Sequence, residues 1–251
     1  MRSMLQASLL ILMLLNIACD GEEDRFERIA KLRGLGLQTS PVIAAPSTDT
    51  SPSQVEFTFY AAAPLGETVT ATPYQDLQGS LRKVSVANFT VGEVSYEDHA
   101  SLRIVKVKAT GVVPPASTFY FDPDNGFATA RFAISLVGQS NSQVMVGNLV
   151  IYPFGSSALT TKNNLPTINI TNPIKDGTIN GTEQEIKAEL TEVNDETYRV
   201  GWFVSGGRLT ARNKVSTTWT PTGAGKYTVI VTARGTKTSA FGIDVVDVTA
   251  N

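Results

Sequence analysis

The sequence predicts an all-β fold of two tandem antiparallel β-sandwiches, placed behind a signal peptide and a short helical tether. Three observations carry that expectation. From Val55 onward the chain is a succession of short apolar–polar alternations rich in β-branched residues. Turn residues (Asp, Asn, Gly, Pro, Ser) separate these runs at sandwich-like spacing, and no 3.6-residue periodicity competes with them. A seam of small polar residues, Gly155 to Asn164, divides the runs into two blocks. The length of 251 residues suits one or two domains.

The first 19 residues are MRSMLQASLLILMLLNIAC. Arg2 is followed by the unbroken apolar run Leu9 to Leu15, which is shorter than the ~20 residues of a membrane-spanning helix. The acidic group Asp20, Glu22, Glu23 and Asp24 comes next. This order is that of a secretory signal peptide covering 1–18. The one cysteine, Cys19, closes it, so no intramolecular disulfide or cysteine-rich zinc site can form. Leu15-Asn16-Ile17-Ala18-Cys19 resembles the lipobox of bacterial lipoproteins, with Asn16 departing from the family's usual leucine. The resemblance implies cleavage before Cys19 and acylation of its sulfur and amine. Each buried methylene contributes ~0.8 kcal/mol and two chains anchor stably. The partner so implied is a lipid bilayer. The location is the cell envelope, at the outer membrane rather than the inner, facing the periplasm or the cell surface.

Residues 19–37 are expected to form the acylated N-terminus and tether. Acids at Glu22–Asp24, bases at Arg28, Lys31 and Arg33, and Phe26, Ile29 and Ala30 on one face suit a short, weak helix over Glu22–Leu35. Gln38 to Ser53 reads as a linker or an irregular first strand. The phrase LRGLGLQTSPVIAAP resembles the entry into Ig-like modules of secreted bacterial proteins.

Residues 38–154 form the expected N-terminal sandwich. Val55, Phe57 and Phe59 share a strand face, as do Val105, Val107 and Ala109, and then Ala128, Ala130, Phe132, Ile134 and Leu136. Phe119-Tyr120-Phe121 reads as a strand leading into the turn Asp122-Pro123-Asp124-Asn125-Gly126. Residues 155–164 are the expected linker. In 165–251, Ile186, Ala188 and Leu190 alternate, as do Val200, Trp202 and Val204, and Gly225–Val231 and Phe241–Val248 close the block. The segments GWFVSGGRL, TTWTPTGAGKYTVIVTARG and FGIDVVDV resemble bacterial Ig-like and PKD-like domains. That resemblance implies a buried Trp202 and a corner made by Tyr227. Trp219, beside Thr220-Pro221, is expected at an edge, where its loss would be milder than that of Trp202. The two modules are expected to stack and project a binding site tens of ångströms from the membrane.

Little in the sequence suggests chemistry. Net charge is −2, which disfavours nucleic acid as a partner. Asp122–Gly126 offers oxygen ligands for calcium but lacks a distal carboxylate, so it reads as a hairpin turn, with no metal and no cofactor expected. The single histidine, His99, follows Glu97 and Asp98 and reads as a surface-loop residue. Tyr74, Tyr96, Tyr120, Tyr152 and Trp219 are candidate sugar-stacking aromatics. No catalytic residue is assigned. The expected function is a membrane-anchored, non-catalytic binding, adhesion or scaffold module with a protein or glycan partner. The alternative is a glycan-binding or glycan-processing envelope protein with its site in the N-terminal domain.

Overall fold

A computed structural model describes residues 28–74, 84–180 and 182–251. The signal peptide and Cys19 lie outside these residues. The expected tether helix lies partly outside as well, and where it is described, from Arg28, it is not helical. Ile29 donates its backbone N–H to the Val204 carbonyl at 3.0 Å, and the chain continues as β1 (Arg33–Ser40). A short helix is marginal in water, whereas here the chain bends at Ala30 and Lys31 into β1 and buries Ile29, Leu32 and Leu35.

The first sandwich therefore begins at β1, before residue 38. It continues through β2 (Ile43–Ala44), β3 (Ser53–Pro64), β4 (Thr70–Pro73), β5 (Val84–Ser85), β6 (Ala87–Asp98), β7 (Leu102–Val113), β8 (Ala128–Val137) and β9 (Ser142–Ile151). One sheet has the order β1-β3-β7-β6 and the other β2-β9-β8-β4, with β5 also paired to β8. β1 is antiparallel to β3, and β2 is parallel to β9. The first strand thus changes sheets at Pro41, which follows a cis peptide bond. The core between the sheets is aromatic at its centre: the rings of Phe57 and Phe132 lie 4.2 Å apart, with Phe89 5.3 Å from Phe57.

The second sandwich repeats this plan. Its strands are β10 (Thr167–Asn172), β11 (Gly177–Ile179), β12 (Gln184–Thr191), β13 (Tyr198–Val204), β14 (Arg208–Leu209), β15 (Ser216–Thr220), β16 (Gly225–Gly235) and β17 (Phe241–Ala250). The sheets are β10-β12-β15-β14 and β11-β17-β16-β13. Again the first strand switches sheets, at Pro173, and β11 runs parallel to β17. Both halves therefore have the strand order of an Ig-like sandwich. Trp202 is fully buried and donates Nε1–H to the Lys214 carbonyl at 2.7 Å. The Tyr227 hydroxyl donates to the Gly223 carbonyl at 2.9 Å, closing a tyrosine corner. Trp219 departs from its expected edge position. It is also fully buried, donates Nε1–H to Gly206 O at 2.9 Å, and packs edge-on against Tyr227 at 5.2 Å. β15 is an inner strand of its sheet, so alternation turns Trp219 inward despite the Thr-Pro that follows.

The two sandwiches lie against each other rather than end to end. On β3, Phe57, Phe59 and Ala61 face their own core, while Tyr60 and Ala62 point outward. On the facing sheet, Val229 and Val231 point inward, while Ile230, Phe241, Ile243 and Val245 point outward. These outward sets, with Ile29, Leu35, Leu102, Ile104 and Phe203, form a third apolar cluster between the halves. Gly36 is part of the fit, because a Cβ there would fall on the Phe241 ring. The seam 155–164 is not a free linker. It contains a one-turn helix, α1 (Ala158–Thr161). Ala158 packs with Val42, Ile43, Val150 and Ala240, and the Asn163 carboxamide accepts the Ile43 N–H at 3.0 Å. Extensive apolar interfaces suppress the relative motion otherwise usual between domains.

Two expectations follow. Trp202→Ala and Trp219→Ala should each cost ~3–5 kcal/mol, and Tyr227→Phe ~1–2 kcal/mol through an unpaired buried acceptor. Urea melts of the chain lacking residues 1–19 check this; a Trp219→Ala midpoint near wild type would contradict its burial. A 165–251 segment alone should self-associate through its uncovered Ile230 and Phe241. Ile230→Thr with Phe241→Thr should return it to a monomer in light scattering.

Candidate ligand groove

A cavity of about 1110 Å³, open to solvent, lies beside β5 and the start of β8. Its construction begins at Pro114-Pro115, where the chain leaves β7. Proline cannot extend the ladder, and the chain makes a 3-10 turn at Ala116–Thr118 instead. Phe119-Tyr120-Phe121 is consequently not a strand, contrary to the sequence expectation, although it stays extended enough to alternate. Phe119 and Phe121 pack against the core. Tyr120, between them, is 83% exposed at the groove. Phe127 forms another part of the wall and leans on Tyr152 at 5.7 Å. β5 pairs with Ala130 and Arg131 of β8, so the ladder stops short of Ala128 and Thr129, which also line the cavity.

The turn at the rim is tightly held. Asp122 Oδ1 accepts the backbone N–H groups of Asp124 (2.8 Å) and Asn125 (3.0 Å). Gly126 adopts φ +70° and donates to the Asp122 carbonyl at 2.7 Å. A glycine suits that conformation because it lacks a Cβ. These backbone donors, and then the Asn125 side chain, hold the Asp122 carboxyl below its ordinary pKa. The carboxylate thus organises the turn, with one oxygen already engaged. Among the described residues, no three His, Cys, Asp or Glu side chains gather as metal ligands. Asp122 is the one carboxylate among the described lining residues.

The candidate aromatics scatter. Tyr120 reaches the groove directly, and Tyr152 supports it through Phe127. Tyr74 lines a separate cavity of about 260 Å³ with Pro73 and Phe89. Tyr96 bonds through its hydroxyl to both backbone groups of Val69, under the Arg103 guanidinium at 4.9 Å. Trp219 is core. Phe119, Phe127 and Thr118 were not singled out by sequence; the Pro-Pro pair ahead of three successive aromatics was the available signal.

His99 lies in the β6–β7 loop, as expected, but not on its open surface. Its side chain is 13% exposed, with Nδ1 3.3 Å from Asp247 Oδ2 and Nε2 3.5 Å from Glu97 Oε1. The β6–β7 hairpin tip rests on the second sandwich, which explains the burial. Neighbouring Ser101 donates to Ser205 Oγ at 2.7 Å and meets Thr228 Oγ1 at 3.2 Å. Thr228 in turn donates to Asp247 Oδ1 at 2.8 Å. Serine, histidine and aspartate are therefore close, but both imidazole nitrogens face carboxylates and the serine proton points to another hydroxyl. The cluster is an interdomain clasp.

No family model and no curated protein matches the chain. Solved structures do. The fibronectin(III)-like modules of Clostridium thermocellum CbhA are 14% identical, with a TM-score of 0.31, over 86% of this chain and 94% of that one. Yersinia pseudotuberculosis InvD is 17% identical, with a TM-score of 0.22, over 86% of this chain and 57% of that one. The N-terminal four Ig domains of Dscam1 isoform 1.9 are 8% identical, with a TM-score of 0.25, over 88% and 66%. The class of protein is defined by the strand order itself: an Ig-like β-sandwich protein.

The groove turn yields a pH expectation. Because the Asp122 pKa is lowered on folding, its contribution is present above the unfolded value of ~3.9 and is lost as pH falls through the folded one. Carboxyl NMR titration should place the Asp122 midpoint below the ordinary aspartate range. Asp122→Ala should loosen the turn, seen as faster amide exchange at Asp124 and Asn125.

Proposed function

We propose that the chain is a lipid-anchored cell-envelope protein whose fused sandwiches act as a rigid, non-catalytic binding module. The observation that carries this reading is the apolar cluster of Phe203, Ile230 and Phe241 against Ala62, Leu102 and Ile104. It joins both halves into one body and leaves the groove at Tyr120 free to meet a partner. Sandwich domains present binding surfaces on rigid scaffolds, and such folds host function only through particular sites. The anchoring half of the reading rests on Cys19 at the end of Leu15-Asn16-Ile17-Ala18-Cys19, which follows the apolar run.

The glycan alternative is favoured in its binding form by the aromatic groove. Glycoside hydrolysis ordinarily requires a pair of carboxyl groups about 5–10 Å apart. Asp122, engaged in its own turn, does not supply such a pair.

Cys19→Ala should abolish membrane retention or leave unprocessed precursor, because the thiol is the attachment atom. Labelled palmitate feeding and membrane fractionation in the native host test this. An unlabelled wild-type chain in the soluble fraction would overturn the anchor.

A further inference from the structure

We infer that the groove at Tyr120 takes a neutral saccharide, with a sugar ring stacked on the Tyr120 face. This rests on the groove being the binding site of the proposed module. Three features of the lining point to this ligand class. First, an aromatic side chain 83% exposed on a well-braced segment is a standing apolar platform. Its neighbours Phe119 and Phe121 are half-buried against the core, and the turn after it is closed by Asp122. A large apolar side chain left in water is unfavourable until something covers it. Second, the wall mixes apolar and hydroxyl chemistry: Phe119 and Phe127 alternate with Thr118 and Ser85. A pyranose presents the matching surface, with C–H groups on its faces and hydroxyls around its rim. Third, the single charge among the described lining residues is negative. A carboxylate accepts hydrogen bonds from sugar hydroxyls and repels an anionic ligand.

The size fits. Sites of about 300–1,000 Å³ hold drug-sized ligands, and this open cavity of about 1110 Å³ accommodates a short oligosaccharide rather than a single ring. Ordering Tyr120 costs little, because it has few rotatable bonds.

The test uses the full chain, acylated and solubilised in detergent. Cellohexaose, maltohexaose and chitohexaose are offered at millimolar concentration, with heparin as an anionic counterpart. Saturation-transfer NMR and calorimetry read binding. The expected result is transfer to at least one neutral hexasaccharide. Tyr120→Ala should weaken affinity at least about tenfold, ~1.4 kcal/mol, Tyr120→Trp should restore it, and Asp122→Asn should weaken it several-fold. Urea midpoints for the Tyr120 variants should match wild type, since the side chain is exposed. Val215→Ser, on the second sandwich, should bind as wild type does.

Binding to heparin alone, or hexasaccharide binding unchanged by Tyr120→Ala, overturns the inference. So does silence from all three neutral sugars. A photo-crosslinker at position 120, used in native envelope, then separates the two readings. Crosslinking to a protein would refute the saccharide while leaving a binding groove. Crosslinking to nothing would remove the groove from the proposed function as well.

Discussion

The structure depends on one constraint: two of its four sheets are covered on both faces where the sandwiches touch. An ordinary antiparallel sandwich keeps one face of each sheet for water. Here Tyr60 and Ala62 of β3 and Leu102 and Ile104 at the start of β7 meet Phe203, Ile230 and Phe241 of the second sandwich, while Glu56 and Lys108 farther along the same strands stay in solvent. The N-terminal segment and the seam between the blocks follow from this contact. Ile29 and Leu35 fill its margin, and Ala158 packs beside Ala240 at the second sandwich's last hairpin.

Polar groups in this interface are arranged as strictly as the apolar ones. Thr228 is fully buried, yet its hydroxyl bonds Asp247 and its backbone N–H bonds Ser205. A buried hydroxyl without partners would cost about 1–3 kcal/mol, so the clasp of His99, Ser101, Ser205, Thr228 and Asp247 also specifies alignment. Apolar contact alone would tolerate sliding. Hydrogen bonds with fixed partners do not.

Much of this was legible in the sequence, for identifiable reasons. Val105, Val107 and Ala109 alternate with Lys106 and Lys108, and period two with a charged opposite face has one solution. Trp202 and Tyr227 came with a family resemblance that specified their places. Two-sided burial was written less plainly, in Ala61-Ala62-Ala63 and in the apolar run from Val229 to Val231, where both parities are apolar. That signal marks a sheet covered twice. The tether differs because the spacing of Phe26, Ile29 and Ala30 satisfies a helix, whereas Ile29, Leu32 and Leu35 reach two different clusters from a non-helical chain. Trp219 differs because Pro221 marks the end of β15, whereas strand parity sets which way Trp219 points. The groove depends on loop geometry after Pro114-Pro115, which alternation does not encode.

The path of the first described residues has a mechanical meaning. Arg28 and Ile29 lie along β13 of the second sandwich, and within a few residues the same chain becomes the edge strand of the first. Any tension arriving from the N-terminal side therefore enters where the halves meet. The load is shared by the Ile29–Val204 hydrogen bond, the ladder of β1 on β3 and the apolar contact beside them. A pull at one end of the polypeptide thus acts first on the joint between the sandwiches, and the groove at Tyr120 stands outside that line of force.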